Sequence, residues 1–197
     1  MIVANSGKPF THSYLLAYQL MSEHAVKFYP FHQIKNNENI VLNLREHTWY
    51  SMKILIQRVK KAEVVANGDI SGAIKQGLVM FIGFAKGDEF DAAKKALEKI
   101  KKLRIFSDPD GLMNLSLQDT GGELLIVSQF TLCAAFKSGN RPGFDPAMPP
   151  KEANKLYDHM VSYAKTILPG KIATGIFGAD MQVSLVNDGP CTFVLDF

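Results

Sequence analysis

A run of five consecutive apolar residues at positions 78–82 (LVMFI), ended by Gly83, limits the possible folds more than any other segment of this chain. The run is too short for a typical helix and long enough for a strand, and a strand that is apolar on both faces must lie inside a sheet. A second run with the composition of a buried strand covers residues 124–130 and follows the pair Gly121-Gly122. Residues 78–82 therefore predict a central strand, and residues 124–130 predict a second buried strand.

Other strand signals lie on either side of these two runs. Residues 54–59 are rich in β-branched side chains, and Asn67-Gly68 between apolar residues is a strong signal for a tight hairpin. Near the end of the chain, residues 172–177, 181–186 and 192–197 also have the composition of strands. The sequence therefore predicts about six or seven strands.

Two helices are predicted between the strands. Asp88 is a good N-cap for a helix whose apolar residues recur at helical spacing from Phe90 to Leu103. Residues 150–168 have a second apolar face, and Pro169-Gly170 ends it. We expect an α+β fold, in which a mixed, curved and barrel-like sheet packs against two main helices.

Composition narrows the class of protein. The chain has 197 residues and two cysteines, Cys133 and Cys191, which form neither a disulfide framework nor a set of metal ligands. We therefore expect a reducing, cytoplasmic setting, no metal and no cofactor. No apolar run approaches the roughly 18 residues of a membrane span, and the net charge of +3 permits a polyanionic partner.

Residues 1–51 differ from the remainder of the chain. They contain four of the five histidines and the only tryptophan, Trp49, but no sustained periodicity. The histidine spacing places no two of them on one helix face, and the composition fits neither a secretory signal nor a transit peptide. We expect residues 1–51 to be a poorly ordered N-terminal extension of unknown role, and residues 52–197 to form the folded domain.

Two segments at the ends of predicted strands are the best candidates for a site, because strand ends hold reacting groups rigidly. Residues 128–132 (SQFTL) offer the hydroxyls of Ser128 and Thr131, and residues 187–190 (NDGP) contain a Gly-Pro peptide. Each segment also has a structural interpretation. The hydroxyls could only support the fold, and Gly189-Pro190 could be a turn between two strands.

Conventional catalytic groups are scarce in residues 52–197. The only histidine there is His159, in the second predicted helix, where we expect a surface residue. Cys133 could be a nucleophile only if its pKa were depressed, and no partner is visible in the sequence. Strand alternation would place Ser128 and Phe130 on one face and Gln129 and Thr131 on the other. A site here would be built largely from main chain.

The two candidate segments, the second extended through Cys191-Thr192, closely resemble the signature motifs of D-aminoacyl-tRNA deacylases. Four other segments match in the same order, namely residues 57–59 (QRV), 103–106 (LRIF), 139–142 (GNRP) and 175–181 (GIFGADM). The likeness runs from Met52 to Phe197, and residues 1–51 have no counterpart. The resemblance implies a D-aminoacyl-tRNA deacylase-like fold for residues 52–197.

The resemblance also implies an activity. It implies a metal-independent editing hydrolase that cleaves the ester between a D-amino acid and the 3′-terminal ribose of tRNA. It implies a cytoplasmic homodimer in which a cis Gly-Pro peptide of one subunit enters the partner's pocket and excludes L-amino acids. The residues that take these roles are Ser128, Gln129, Phe130 and Thr131 as the catalytic segment, Gly189 and Pro190 as the excluding peptide, and Arg58 as its support.

The implied chemistry is consistent with the residues. An aminoacyl ester is already activated, so backbone N–H groups beside Phe130 and Thr131 could hold the developing oxyanion. In this family the tRNA is thought to supply the 2′-hydroxyl that helps to activate water. A main-chain site would accept many D-amino acids and also achiral glycine. The expected partners are D-aminoacyl-tRNA and glycyl-tRNA, including glycine misattached to alanine tRNA, with no DNA and no membrane.

Three residues depart from the family pattern. Cys191 stands where valine is usual, and the two side chains are similar in volume. Ala135 stands where an acidic residue is common, and Gly143 stands where serine is usual. The last two lie in a loop that Lys137, Arg141 and Lys171 would make basic, so they bear on tRNA affinity.

Two other functions fit the residues. One is a hydrolase that uses Cys133 or Thr131 as the nucleophile on small esters, in which case alanine at that position would abolish activity. The other is a non-catalytic RNA-binding module, which would bind tRNA in a salt-dependent manner without turnover.

Overall fold

The structure is a computed structural model that describes residues 51–136 and 139–197 and three short strands near the N-terminus. The chain divides into two units, Met1–His47 and Thr48–Phe197. In the first unit the strands form an antiparallel sheet in the order β1–β3–β2, with bounds Val3–Asn5 (β1), Lys35–Asn36 (β2) and Asn39–Val41 (β3). Apart from the backbone of these strands, the expected poorly ordered extension lies outside the described residues.

The described part of the second unit contains eight strands and three helices, which confirms the expected α+β class. The strands are β4 (Lys53–Ala66), β5 (Asp69–Ile74), β6 (Gly77–Gly83), β7 (Phe106–Ser107), β8 (Met113–Leu115), β9 (Glu123–Ser128), β10 (Ile172–Thr174) and β11 (Met181–Asp196). The helices are α1 (Phe90–Lys102), α2 (Leu117–Thr120) and α3 (Pro150–Ile167). The single-turn helix α2 and the short strands β7 and β8 were not predicted from the sequence.

Most of these strands form one mixed sheet in the order β10–β9–β6–β4–β11, with β5 paired to β4. The β6–β9 and β9–β10 pairs are parallel, whereas β4 is antiparallel to β5, β6 and β11. The apolar run at residues 78–82 lies in β6, between β9 and β4, and Leu78, Val79 and Met80 are fully buried. The prediction of a central strand is therefore confirmed.

The two long helices cover one face of this sheet. Ala93, Leu97 and Ile100 of α1 and Met160 and Ala164 of α3 are all fully buried in the same apolar cluster. The predicted bounds of both helices agree with the structure to within a residue or two. The helices therefore pack through the apolar faces that the sequence indicated.

The start of α1 differs from the prediction. The N-cap residue is Glu89, which makes no side-chain capping bond, and not Asp88. The carboxylate of Asp88 instead accepts hydrogen bonds from the N–H of Ala85 at 2.6 Å and from the N–H of Met52 at 3.3 Å. Asp88 therefore ties the loop after β6 to the start of β4, a long-range contact that local sequence does not reveal.

The predicted hairpin at Asn67-Gly68 is confirmed. These two residues join β4 to β5 and have φ angles of 54° and 90°. Positive φ at both central positions is typical of the type I′ turn, for which the Asn-Gly pair is strongly preferred.

The C-terminal strands differ from the prediction in two ways. The strand predicted over residues 172–177 ends at Thr174. The strands predicted over 181–186 and 192–197 are one 16-residue strand, β11, that continues across Gly189-Pro190. The interpretation of Gly189-Pro190 as a turn is therefore wrong, because the 14-residue β4 is long enough to pair with both halves of β11.

Candidate active site

The first candidate segment changes direction at the end of β9. The strand ends at Ser128, and Phe130–Cys133 form one 3₁₀ turn, with Gln129 at its N-cap. The strand alternation expected beyond Ser128 is therefore wrong. The N–H of Gln129 donates to the carbonyl oxygen of Ile82 at 2.6 Å, which fixes the start of the turn against β6.

Close packing at Gly83 holds the turn in place. A Cβ atom at this position would lie 2.8 Å from the carbonyl oxygen of Gln129 and 3.0 Å from Sγ of Cys133. Any side chain larger than hydrogen would displace the turn from β6. The glycine that ends the apolar run is therefore what lets this candidate segment approach the central strand.

Among the described residues, two backbone donors of this turn have no hydrogen-bond acceptor. The first N–H groups of a helical turn have no partner within it, and no described residue accepts a hydrogen bond from the N–H of Phe130 or Thr131. The Gln129 side-chain amide donates to Oγ1 of Thr131 and orients that hydroxyl. The turn thus places two adjacent N–H groups and a hydroxyl at an exposed strand end.

The side chains that could act as a base or a nucleophile do not support conventional nucleophilic catalysis. His159 lies exposed on α3, where its ring packs edge-on against Phe90 with centroids 5.9 Å apart. Burial, and secondarily the nearby Asp88 carboxylate, raise the pKa of the Cys133 thiol to about 11. Cys133 is therefore almost entirely protonated at neutral pH and is a poor nucleophile.

The second candidate segment is a wide bulge in β11. Asn187 pairs with Val59 and Thr192 pairs with Gln57, so the four residues 188–191 lie opposite the single residue Arg58. Gly189 and Pro190 are exposed, and the peptide bond between them is cis. The bulge therefore carries the Gly-Pro peptide out of the regular strand pairing.

Arg58 supports this bulge from behind. Its side chain is almost completely buried, and its Nε lies 3.0 Å from both the carbonyl oxygen and the Oδ2 of Asp188. The guanidinium also donates to the carbonyl oxygen of Ile105. The Arg58 side chain thus joins three of the segments that match the family, namely residues 57–59, 103–106 and 187–192.

Asn187 closes the bulge, a role that the sequence analysis did not give it when it named the 187–190 segment. Its side-chain amide donates to the carbonyl oxygens of Arg58 at 2.9 Å and of Cys191 at 3.3 Å, so it spans the bulge. A Cβ atom on Gly189 would collide with Oδ1 of Asn187, so a larger residue there would displace this side chain from the bulge. The sequence signal that could have indicated this role is an asparagine two residues before Gly189.

The register of the sheet separates the two segments within one chain. Ser128 pairs with Ile82, whereas Arg58, which faces the bulge, pairs with Leu78. Four residues along the strands and three strands across correspond to about 19 Å over the surface of the sheet. The candidate turn at residues 130–133 and the Gly-Pro bulge of the same chain are therefore well separated on the sheet.

Two of the three departures from the family pattern form a single backbone pair. Ala135 and Gly143 exchange two N–H···O bonds, each 2.8 Å long. A Cβ atom on Gly143 would approach the Ala135 oxygen only to 3.5 Å, so the position has room for the usual serine. The third departure, Cys191, is buried at 2% exposure in the main core.

Two further expectations concern the surroundings of the site. Lys171 was expected beside it, but Nζ of Lys171 donates to the carbonyl oxygen of Ala73, and its backbone pairs with Leu124 at the opposite end of β9. Lys137 lies outside the described residues. Within the described part of the chain, no His, Cys, Asp and Glu side chains are grouped as metal ligands, and no helix could cross a membrane.

Comparison with known proteins agrees with this geometry. A family model described as D-Tyr-tRNA(Tyr) deacylase matches residues 55–196. Curated D-aminoacyl-tRNA deacylases from Acinetobacter baylyi and Pelobacter propionicus are 50% and 53% identical to this chain over 145 and 147 residues, which is 74% of this chain and 99% of each relative. One from Pseudoalteromonas translucida is 54% identical over 144 residues, 73% of this chain and 99% of the relative.

Two solved structures share the fold. One, described as a c-Myc DNA unwinding element binding protein, has a TM-score of 0.70 and 36% identity, and the match covers 74% of this chain and 98% of that protein. The other, described as a probable eukaryotic D-amino acid tRNA deacylase, has a TM-score of 0.64 and 17% identity, over 75% of this chain and all of that protein.

Fold and family match together define a hydrolase of the class that acts on aminoacyl-tRNA. The match to the family model and the extent of identity then make the assignment specific. The chain belongs to the D-aminoacyl-tRNA deacylase family.

Proposed function

We propose that this chain hydrolyses D-aminoacyl-tRNA and leaves L-aminoacyl-tRNA intact. Water adds to the ester carbonyl carbon, the bond to the 3′-oxygen of the ribose breaks, and that oxygen takes up a proton. The products are a free D-amino acid and tRNA with a free 3′-hydroxyl. The observation that carries the proposal is the pair of open N–H groups at Phe130 and Thr131, in a segment that resembles the first signature motif of the family.

These N–H groups suit the charge that develops during the reaction. The carbonyl oxygen becomes an oxyanion when water adds, and donors fixed beforehand bind that state better than the ground state. The Ile82–Gln129 bond and the close packing at Gly83 supply this fixation. A base on the protein is not required if the substrate's own 2′-hydroxyl helps to activate water, as the family resemblance implies.

The principal test is hydrolysis of matched substrates by the full chain. Purified protein should release D-tyrosine from D-Tyr-tRNA and leave L-Tyr-tRNA intact. Hydrolysis of both at equal rates, or of neither, would contradict the proposal. Turnover also excludes a role as a non-catalytic RNA-binding module.

A backbone substitution tests the oxyanion role of the turn. Phe130→Pro removes one N–H, and proline is well tolerated at the first position of a helical turn. Loss of one such donor should lower kcat for D-Tyr-tRNA by about 10²–10³. Phe130→Ala keeps the N–H and is the matched control, so an equal loss in both variants would refute the role.

The stereochemical filter is proposed to come from a second copy of the chain. Within one chain the catalytic turn and the Gly189-Pro190 bulge are about 19 Å apart over the sheet, so one copy does not bring both to the same aminoacyl group. The bulge lies on β11, an edge strand that exposes Val186, Phe193 and Val194. An edge with exposed apolar side chains is suited to cover by another chain.

In the proposed homodimer, Gly189 and Pro190 of one subunit fill the space beside the partner's catalytic turn that an L side chain would need. Achiral glycine has no side chain to exclude. We therefore also propose hydrolysis of glycyl-tRNA, including glycine misattached to alanine tRNA, and this activity is measured on the same protein with glycyl-tRNA.

Mixed dimers distinguish a site across subunits from a site within one. Phe130→Pro chains should be nearly inactive, and Pro190→Ala chains should hydrolyse L-Tyr-tRNA as well as D-Tyr-tRNA. In a mixed dimer, the intact turn of the Pro190→Ala chain faces the intact bulge of its partner. Excess Phe130→Pro chain should therefore suppress hydrolysis of L-Tyr-tRNA and leave hydrolysis of D-Tyr-tRNA unchanged. If mixed dimers form but the ratio of L-Tyr-tRNA to D-Tyr-tRNA hydrolysis does not change, the turn and the bulge act within the same chain.

The chemistry of the cysteines fits the proposed location. Cys133 and Cys191 are both buried free thiols, as is usual in a reducing compartment. We propose the cytoplasm, where aminoacyl-tRNA is used. Fractionation of cells that express the full chain tests this.

A further inference from the structure

One exposed phenylalanine lies in the catalytic turn, and two more follow it in sequence. Phe130, Phe136 and Phe144 are 58%, 69% and 38% exposed. The rings of Phe130 and Phe144 pack edge-to-face with centroids 4.9 Å apart and an interplanar angle of 62°. Since a phenylalanine side chain offers about 200 Å², the three together expose roughly 300 Å², which is the size of patch that often marks an interaction site.

The backbone holds two of these rings on a short hairpin. Ala135 and Gly143 form a backbone pair with two 2.8 Å hydrogen bonds, and Phe136 and Phe144 are the residues that follow each of them. Phe144 in turn contacts Phe130 of the catalytic turn. Phe144 is therefore in direct contact with the catalytic segment, and Phe136 is linked to it through the Ala135–Gly143 backbone pair.

A positive charge lies on the same hairpin. Arg141 is exposed, two residues before Gly143. A guanidinium is charged at all physiological pH values, and it binds phosphate or stacks on a base. Exposed aromatic rings beside a basic side chain are the combination by which proteins hold single-stranded nucleic acid, because every base has a flat face that can stack.

We propose that Phe130, Phe136, Phe144 and Arg141 form an aromatic platform that binds the unpaired nucleotides at the 3′ end of the substrate tRNA. This inference rests on the proposed function. The ester is attached to the last nucleotide, so the nucleotides before it must lie close to the catalytic turn. The platform begins at Phe130, inside that turn, and stacking would not require any particular base sequence.

The test uses the full chain and a tRNA acceptor minihelix whose unpaired 3′ end carries 2-aminopurine. Binding should quench the fluorescence of the probe by stacking. Leucine at Phe136 and Phe144 keeps an apolar side chain but removes the aromatic face, and should raise Kd about 5- to 150-fold for each base that stacks. Tyrosine at the same positions should retain the wild-type Kd and quenching.

Salt dependence separates the two kinds of contact. Arg141→Gln should reduce the slope of log Kd against log salt by about 0.7, the value for one phosphate of a single strand. The leucine variants should leave this slope unchanged. Leu112→Ala, on an exposed residue of the β7–β8 hairpin, is the matched surface control and should change neither quantity. For a minihelix without unpaired nucleotides and for duplex DNA, the leucine variants should have the same Kd as the wild-type chain.

Three results would overturn the inference. The first is a Kd of the leucine variants within twofold of the wild-type value. The second is an equal rise in Kd for the minihelix without unpaired nucleotides. The third is conversion of a dimer to a monomer by the leucine substitutions, measured by sedimentation. The last result would assign the surface to a second copy of the chain. Failure of the proposed function is a different result, because a wild-type chain without activity on D-Tyr-tRNA could still bind the probe through the platform.

Discussion

Substitution of Arg58 by lysine tests how the Gly189-Pro190 bulge is held. The guanidinium reaches Asp188 and the carbonyl oxygen of Ile105 at the same time. A lysine ammonium keeps the charge but is a point donor on a flexible stem, and it cannot make both contacts in this geometry. Arg58→Lys should therefore release one side of the bulge and leave a buried acceptor unpaired.

The expected magnitude follows from these contacts. A hydrogen bond to a charged group contributes about 1.5–3 kcal/mol, and an unpaired buried acceptor costs about 1–3 kcal/mol. Because lysine can restore one contact, Arg58→Lys should lower the free energy of unfolding by about 2–4 kcal/mol. For a domain of this size that corresponds to a fall in Tm of roughly 5–15 °C.

Asp188→Asn provides the matched comparison. It removes the ion pair but keeps the backbone carbonyl that accepts from Nε of Arg58. The Asp188 side chain is 31% exposed, so solvent partly screens the pair, and because asparagine keeps a polar partner for the guanidinium the variant should cost less than Arg58→Lys. Guanidinium unfolding at constant m value measures both, and the double variant gives their coupling.

The functional measurement for Arg58→Lys is the ratio of D-Tyr-tRNA to L-Tyr-tRNA hydrolysis. The ratio should fall because the bulge is no longer fixed, whereas kcat for D-Tyr-tRNA should change less. An Arg58→Lys variant that costs under 1 kcal/mol, or one no more costly than Asp188→Asn, would refute the account of how Arg58 acts.

Three further predictions concern other parts of the site. Gly83→Ala should destabilise the fold by about 1–3 kcal/mol through overpacking and lower kcat, since the new methyl would meet the Gln129 carbonyl, whereas Gly143→Ala should be nearly neutral in both chemical denaturation and turnover. Cys133→Ala should retain most activity, and loss of activity in this variant would instead support the thiol mechanism. Because burial raises the pKa of this thiol to about 11, wild-type activity should show no inflection near pH 9. Asn187→Asp removes the amide donor that spans the bulge and should reduce the D/L ratio more than kcat for the D substrate, so an unchanged ratio would count against its positioning role.

Much of the fold could be predicted because local pattern and tertiary structure agree. The apolar run in β6, the Asn-Gly hairpin and the two amphipathic helices each have a short-range signal that the fold preserves. The predicted N-cap was wrong because the Asp88 carboxylate accepts a hydrogen bond from the N–H of Met52, 36 residues away in sequence. Such a contact depends on where strands meet, and a single sequence does not encode it visibly.

The candidate site could be located from sequence motifs but not described in detail. The residues of both segments were identified, but the bend after Ser128 and the continuous β11 were not. Both errors have the same cause, because each segment departs from regular strand geometry where a neighbouring strand dictates its course. The bend is fixed by the bond of Gln129 to Ile82, and the bulge by Arg58 and Asn187.

The position of the bulge has a consequence for how variants at Arg58 should behave. Arg58 and Asn187 fix Gly189-Pro190 within their own chain, about 19 Å over the sheet from that chain's catalytic turn. If the proposed dimer forms, their stabilising contacts act on one subunit and the selectivity they support is expressed in the other. A wild-type chain paired with an Arg58→Lys chain should therefore have the less stable fold in the variant subunit and the less selective site at the wild-type turn. A single-chain site predicts that both defects stay with the variant.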